Sequence, residues 1–260
     1  MSICTLGIDV GSTTSKCVIL RDGREIVAKA LVPSGTGTAG PAKALEQVID
    51  AAGLQQQDIK MTVSTGYGRR RIDLADFDMS ELSCHAMGAQ FLFPKARTVI
   101  DIGGQDIKVL SIEDGVMSGF QMNDKCAAGT GRFLEVMARI LDVDVSKFGA
   151  LDARSTKTVQ ISSTCTVFAE SEVISQLSLG ESIPDIISGI HLSVSSKVVG
   201  LVHRVGLREP VVMTGGVSRN EGIVRALEAQ LGCQVQTSEL SQYAGALGAA
   251  LFGFKKADQA

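Results

Sequence analysis

The sequence predicts an α/β protein made of two duplicated lobes with a ligand cleft between them. Three observations predict it. Strand-like apolar runs alternate with helix-like periodic stretches along the chain. Ile8-Asp9-Val10-Gly11 returns as Ile100-Asp101-Ile102-Gly103, and at the same offset of 92 residues Lys16 meets Lys108 and Asp22-Gly23 meets Asp114-Gly115. A match of strand, turn, lysine and hairpin in one register without a gap reads as an internal duplication. Finally, 260 residues with 45% apolar and 20% charged side chains are enough for a sizeable core.

The elements follow in order. Residues 3–10 form an apolar run that ends in Asp9-Val10-Gly11. Residues 14–20 and 24–32 read as strands joined at Asp22-Gly23, a hairpin signal because both central positions of a type I′ turn need positive φ. A helix runs from Pro41 to Ala52 and stops at Gly53. A short strand near 60–65 and a helix near 79–91 complete this half. After the repeated strand–hairpin unit come helices near 128–142, 167–178 and 184–206. A strand at 210–214, a helix at 220–231, a strand at 233–237 and a last helix from about 242 finish the chain. The first lobe is expected to span residues 1–94 and the second 95–260, with the last helix able to pack back on the first lobe.

Composition excludes several classes. Lys and Arg number 25 against 28 Asp and Glu, so no basic field exists to hold a nucleic acid. The most apolar stretch, Ala244 to Phe254, is about half the ~20 residues that cross a bilayer, so no membrane segment is expected. Residues 1–9 lack a basic leader and reach an acid early, which is unlike a signal peptide. A reducing cytoplasm is therefore expected, where six cysteines without a CxxC pair are not a disulfide framework. Cys4, Cys17 and Cys233 sit in apolar runs and read as buried small hydrophobes, while Cys84 beside His85 stays open.

In each repeat an Asp ends a strand and a glycine turn follows: Asp9-Val10-Gly11-Ser12-Thr13-Thr14 and Asp101-Ile102-Gly103-Gly104-Gln105. Glycines let the backbone approach a ligand, and turn N–H groups can then point at phosphate oxygens. Ser12, Thr13 and Thr14 add hydroxyl donors, and Lys16 adds a cation. Asp9 and Asp101 could hold Mg²⁺ through its waters, and Gln105 could orient an attacking water. The plain alternative is two hairpins with solvated acids. A third stretch, Val211-Val212-Met213-Thr214-Gly215-Gly216-Val217-Ser218-Arg219-Asn220, is a strand, a glycine pair and a helix start able to pass beneath a base and ribose. Gly35-Thr36-Gly37-Thr38-Ala39-Gly40 satisfies GxGxxG, but no acid ends the strand Lys60 to Thr65, so it reads as a mobile loop. No GxxxxGK[ST] phosphate loop occurs.

These three stretches resemble the two phosphate motifs and the adenosine motif of the actin, sugar-kinase and large-chaperone ATPase superfamily. The resemblance implies ATP bound between two lobes that close on it, with Gly11, Ser12, Thr13, Thr14, Lys16, Gly103, Gly104, Gly215, Gly216, Val217 and Asn220 around the nucleotide. Asp9, Asp101 and Gln105 are then the candidate catalytic residues.

Cys126 and Cys165 stand in small polar stretches read as lying directly before helices. A helix N-terminus favours a thiolate, the form that ligates metal. An iron–sulfur cluster normally takes four cysteines, which a two-fold dimer would supply as two from each chain. Two inert thiols are the alternative. Asn123 to Phe133, together with Ser163-Thr164-Cys165-Thr166-Val167-Phe168, Thr65-Gly66-Tyr67-Gly68-Arg69 and Glu81 to Ala86, resembles the ATPase activators of 2-hydroxyacyl-CoA dehydratases. Those are related to the ATPase subunits of benzoyl-CoA reductases. The resemblance implies a homodimer with one 4Fe–4S cluster, held here by Cys126 and Cys165 of each chain. It further implies a ferredoxin or flavodoxin as electron donor, ATP, ADP and Mg²⁺ as cofactors, and a dehydratase as electron acceptor. A small-molecule kinase of the same fold is the rival reading, with Asp101 taking the proton from an acceptor hydroxyl. A nucleotide-gated binding module is a third.

Overall fold

The computed structural model describes residues 2–161 and 165–259. The chain groups into two compact units, one of Met1–Lys95, Asp114–Met117 and Leu240–Ala260, the other of Ala96–Glu113 and Ser118–Glu239.

The first unit opens with β1 (Cys4–Val10), buried at every position as its continuous apolar run requires. It pairs antiparallel with β2 (Ser15–Arg21), which pairs antiparallel with β3 (Glu25–Val32). Asp22 (φ 52°) and Gly23 (φ 63°) make the turn between β2 and β3 with both central residues at positive φ. Helix α1 (Gly40–Ala52) carries a proline in its first turn and ends on Gly53 in the left-handed conformation. The strands β4 (Ile59–Thr65) and β5 (Phe77–Asp78) add in parallel beside β1, and α2 (Glu81–Leu92) follows. The sheet order is β3-β2-β1-β4-β5. The two-residue β5 is too short to leave a pattern in the sequence.

The second unit repeats that plan. The strands β6 (Thr98–Ile102), β7 (Ile107–Glu113) and β8 (Val116–Asn123) form the same meander, and β7 begins and ends 92 residues after β2. Asp114 and Gly115 again take positive φ. Then come α3 (Gly131–Ile140), α4 (Phe148–Asp152), α5 (Thr166–Ser178) and α6 (Ile183–Val205). The strand β9 (Val211–Thr214), the helix α7 (Glu221–Leu231) and the strand β10 (Val235–Gln236) close the unit. With β9 and β10 the sheet reads β8-β7-β6-β9-β10, the same order as β3-β2-β1-β4-β5.

Two expectations shift here. The helix placed at 128–142 starts at Gly131, because Thr130 donates its amide to Ala127 and Gly129 takes φ 87° in a turn. The short α4 was not anticipated. By length and composition α6 is apolar enough to cross a membrane. Its Ile186, Ile190, Val194, Val198 and Leu201 instead recur at helical spacing and join the unit's core with Phe133, Met137 and Phe148. Each such buried aliphatic contributes about 1.5–3 kcal/mol relative to exposure.

The last helix, α8 (Ala244–Ala257), belongs to the first unit and lies on β1, β2, β4 and α2. Its alanines and glycines allow very close packing: a Cβ on Gly7 would stand 1.8 Å from the carbonyl oxygen of Ala246.

Candidate functional site

In the first unit, β1 delivers Asp9 to the mouth of a tight turn closed by the Gly11 amide donating to the Thr14 carbonyl at 3.0 Å. Ser12, Thr13 and Thr14 are half-buried along that turn. Asp9 is 3% exposed. Its Oδ2 lies 3.4 Å from Nζ of Lys16, the residue directly across the ladder on β2. Its Oδ1 is buried and accepts no hydrogen bond from the described residues. The carboxylate lies in a hollow walled by glycines. A Cβ on Gly66 would stand 2.6 Å from Oδ1, and one on Gly245 would stand 2.9 Å from Oδ2 and 3.0 Å from His85 Nε2. The GxGxxG loop expected to be mobile is tied to this turn, since Thr36 donates its amide to the Gly11 carbonyl at 2.9 Å.

The second unit builds the same turn with the Gly103 amide donating to the Asp106 carbonyl at 2.9 Å. Asp101 is 1% exposed and Lys108 is its ladder partner, also 1% exposed. Lys108 Nζ is 3.5 Å from Asp101 Oδ2 and 2.8 Å from Asp106 Oδ2. Thr214 donates its hydroxyl to Asp101 Oδ1 at 2.8 Å. Gln105 stands exposed at the turn's tip. The carbonyls of Gly103 and Gly104 accept the amides of Gly131 and Arg132, the first two residues of α3, at 2.9 and 2.8 Å.

The glycine pair follows β9 against this turn. Gly215 (φ 83°) has to be glycine, since a Cβ would meet the Ile102 carbonyl oxygen at 2.3 Å and Asp101 Oδ1 at 2.9 Å. A Cβ on Gly216 would face open space. Val217 is buried beside the start of α3. The second phosphate turn, the start of α3 and the glycine pair thus converge within one unit, and Gly131 joins a constellation from which the sequence reading omitted it.

Asn220, expected to offer a polar contact, spends its side chain locally. Its Oδ1 caps α7 by accepting the amides of Gly222 and Ile223 at 3.0 and 3.3 Å. Its Nδ2 donates to Nε2 of buried His191 at 3.1 Å, which leaves the His191 hydrogen on Nδ1, 3.4 Å from Asp152 Oδ1. Burial pushes the Asp152 carboxyl upward, but the nearby His191 and the hydrogen bond from Arg225 outweigh it and hold the group below its ordinary range.

The cysteines separate by environment. Cys17 and Cys84 are fully buried. Burial drives the Cys84 thiol up to about 12 and the Cys17 thiol higher still, so both are inert. Cys4 is buried, and half-buried Cys233 packs against the core. Cys165 is exposed and is the N-cap residue of α5; Ser162, Ser163 and Thr164 before it lie outside the described residues. Cys126 is half-buried and does not stand directly before a helix, because the 127–130 turn intervenes. Its carbonyl accepts from Asn123 Nδ2 at 2.8 Å. Beside it, the hydrogen bond from Lys125 holds the Asp124 carboxyl below its ordinary range.

Comparison with known proteins agrees with this geometry. The chain is 63% identical to the (R)-2-hydroxyglutaryl-CoA dehydratase activating ATPase of Acidaminococcus fermentans over 99% of both chains. The crystal structure of that protein superposes with a TM-score of 0.96, covering 98% of this chain and 99% of that one. The activator of the 2-hydroxyisocaproyl-CoA dehydratase from Clostridium difficile, solved with bound ADPNP, also gives a TM-score of 0.96 at 53% identity, covering 99% of this chain and 96% of that one. A ROK family glucokinase from Streptomyces griseus, at 13% identity and a TM-score of 0.60 over 97% of this chain and 99% of its own, shares the fold alone. The model of the BadF/BadG/BcrA/BcrD ATPase family matches residues 6–253. With nearly its whole length matched, the chain belongs to that ATPase family and stands among its dehydratase-activating members.

Proposed function

We propose that this chain is an ATP-hydrolysing, one-electron activator of a 2-hydroxyacyl-CoA dehydratase, working as a homodimer in a reducing cytoplasm. The observation that carries the reading is the hydrogen-bonded junction of the second phosphate turn with α3, five residues downstream of Cys126. The activators from Acidaminococcus and Clostridium supply the partner class.

Each unit contributes one phosphate turn in this reading. Gly11, Ser12, Thr13, Thr14 and Lys16 in the first, and Gly103 and Gly104 in the second, donate to or neutralise phosphate oxygens. The buried, unpartnered Oδ1 of Asp9 fits the hydration shell of a nucleotide-bound Mg²⁺. Asp101 and Gln105 orient the attacking water, with Gln105 free to swing from its exposed tip. The open space beside Gly216 suits the flat face of the adenosine, and Asn220 acts by fixing the start of α7.

Cys126 and Cys165 fit a cluster by donor chemistry and accessibility, unlike the buried thiols. Two thiols from each of two chains complete the four that a 4Fe–4S cluster takes, and such a cluster would supply storage of single low-potential electrons. A ferredoxin or flavodoxin is the proposed donor. Anaerobic purification tests the reading: a brown dimer with ATPase activity supports it. A colourless protein after iron and sulfide reconstitution rejects it in favour of a kinase or a binding module.

A further inference from the structure

The two phosphate turns are copies that have diverged at several positions, and one of these changes bears on the buried lysine. Thr14 closes the first turn and Asp106 closes the second, each through its backbone carbonyl. In the first turn, among the described residues, Lys16 has only Asp9 within ion-pair distance, at 3.4 Å. In the second, Lys108 is drawn closest to Asp106, at 2.8 Å, and stands at 3.5 Å from Asp101. An ammonium this deeply buried needs a carboxylate partner, and one acid is enough to neutralise it. The second acid therefore does something else. It takes most of the lysine's attraction, and Asp101 is located by Lys108 and Thr214.

We propose that Asp106 and Lys108 form a positioning clamp for Asp101, and that the duplicated acids have divided their work. Asp101 is fixed in one rotamer for the reacting water. Asp9, without such a clamp and with Oδ1 buried and unpartnered among the described residues in its glycine-walled hollow, serves the cation. The proposal rests on the ATPase reading above. It makes Asp106, a residue outside the phosphate-contacting set, decisive for turnover and indifferent for nucleotide affinity.

Asp106→Thr rebuilds the second turn on the pattern of the first, and Asp106→Asn removes only the charge. Steady-state ATP hydrolysis, ADP binding by calorimetry, Mn²⁺–ADP binding by electron paramagnetic resonance and thermal melting are measured on the whole protein. In both variants kcat falls by about tenfold or more while ADP and Mn²⁺ affinities stay within about twofold. Asp9→Asn gives the opposite pattern in Mn²⁺ binding. Asp106→Asn leaves Lys108 paired with Asp101, so its melting stays close to wild type while its kcat falls. Wild-type kcat in Asp106→Thr, or a loss of kcat in Asp106→Asn that merely follows a loss of stability, overturns the clamp. A wild-type protein that neither binds nor hydrolyses ATP overturns the ATPase reading and the clamp with it.

Discussion

The amide of Gly131 donates to the carbonyl of Gly103 at 2.9 Å. This bond joins the start of α3 to the turn assigned to the nucleotide's phosphates, and the Cys126 loop leads directly into α3. A change in the turn is therefore transmitted to that loop through backbone, without long side chains. Chelation of iron from the reduced protein by bathophenanthroline should then differ among nucleotide-free, ADP and ATP-analogue forms. Gly131→Pro is the sharper probe. Proline is tolerated at the first position of a helix, and Thr130 before it is already extended. The variant should keep α3 and its iron yet lose the nucleotide dependence. Equal chelation rates in all three wild-type forms would show that site and cluster are uncoupled in the isolated activator.

Asp101→Asn should lower ATP turnover by about a hundredfold, the range expected when a group acting on the attacking water is lost. The fold should survive, because Asn can still accept from Thr214 and Lys108 keeps Asp106. Normal turnover with intact melting would remove the second turn from the chemistry.

Cys126→Ala and Cys165→Ala should each lose the cluster, where the unaltered dimer binds about four irons. Cys17→Ala and Cys84→Ala should retain it, since both side chains are sealed in the core with raised thiol pKa values. Iron analysis after anaerobic reconstitution decides, and full iron in both ligand variants would end the assignment.

Asp185 should set an acid limit on the Cys165 segment. Its carboxylate accepts from the Ser182 hydroxyl and from the amides of Lys157 and Thr156, which hold its pKa at about 2. A carboxyl lowered from 3.8 contributes stability above 3.8, and that contribution fades as pH falls towards about 2. Asp185→Asn should therefore be less stable than wild type in urea at neutral pH, with the gap closing across that window. A gap independent of pH would mean that the amide replaces the carboxylate fully. The variant should also lose iron faster, because residues 156–161 run from this anchor towards Cys165.

Much of the architecture is legible in the sequence because it is encoded by local stereochemistry. Asp22-Gly23 and Asp114-Gly115 needed positive φ, and Gly53 and Gly232 supplied left-handed helix ends. What was not legible depends on contacts between distant residues. Thr214 meets Asp101 across 113 positions of sequence. Asp106 is not part of the turn motif as the sequence shows it, although its place at the offset of Thr14 is a signal that the copies differ. Ala128 read as the start of a helix, and the 127–130 turn moved that start downstream to Gly131. Asn220 read as a ligand contact because a cap and a contact use the same amide.

The position of α8 has a consequence for how the molecule is made. The sheet formed by residues 4–78 is covered on one side by a helix that leaves the ribosome after the whole second unit. The second unit is thus a domain insertion, complete by residue 239, while the first waits for α8. During synthesis the N-terminal sheet exposes the apolar faces of β1, β2 and β4 for the whole time that the inserted domain is being translated. Folding of this chain therefore does not proceed vectorially from its N-terminus; the half that begins first is finished last.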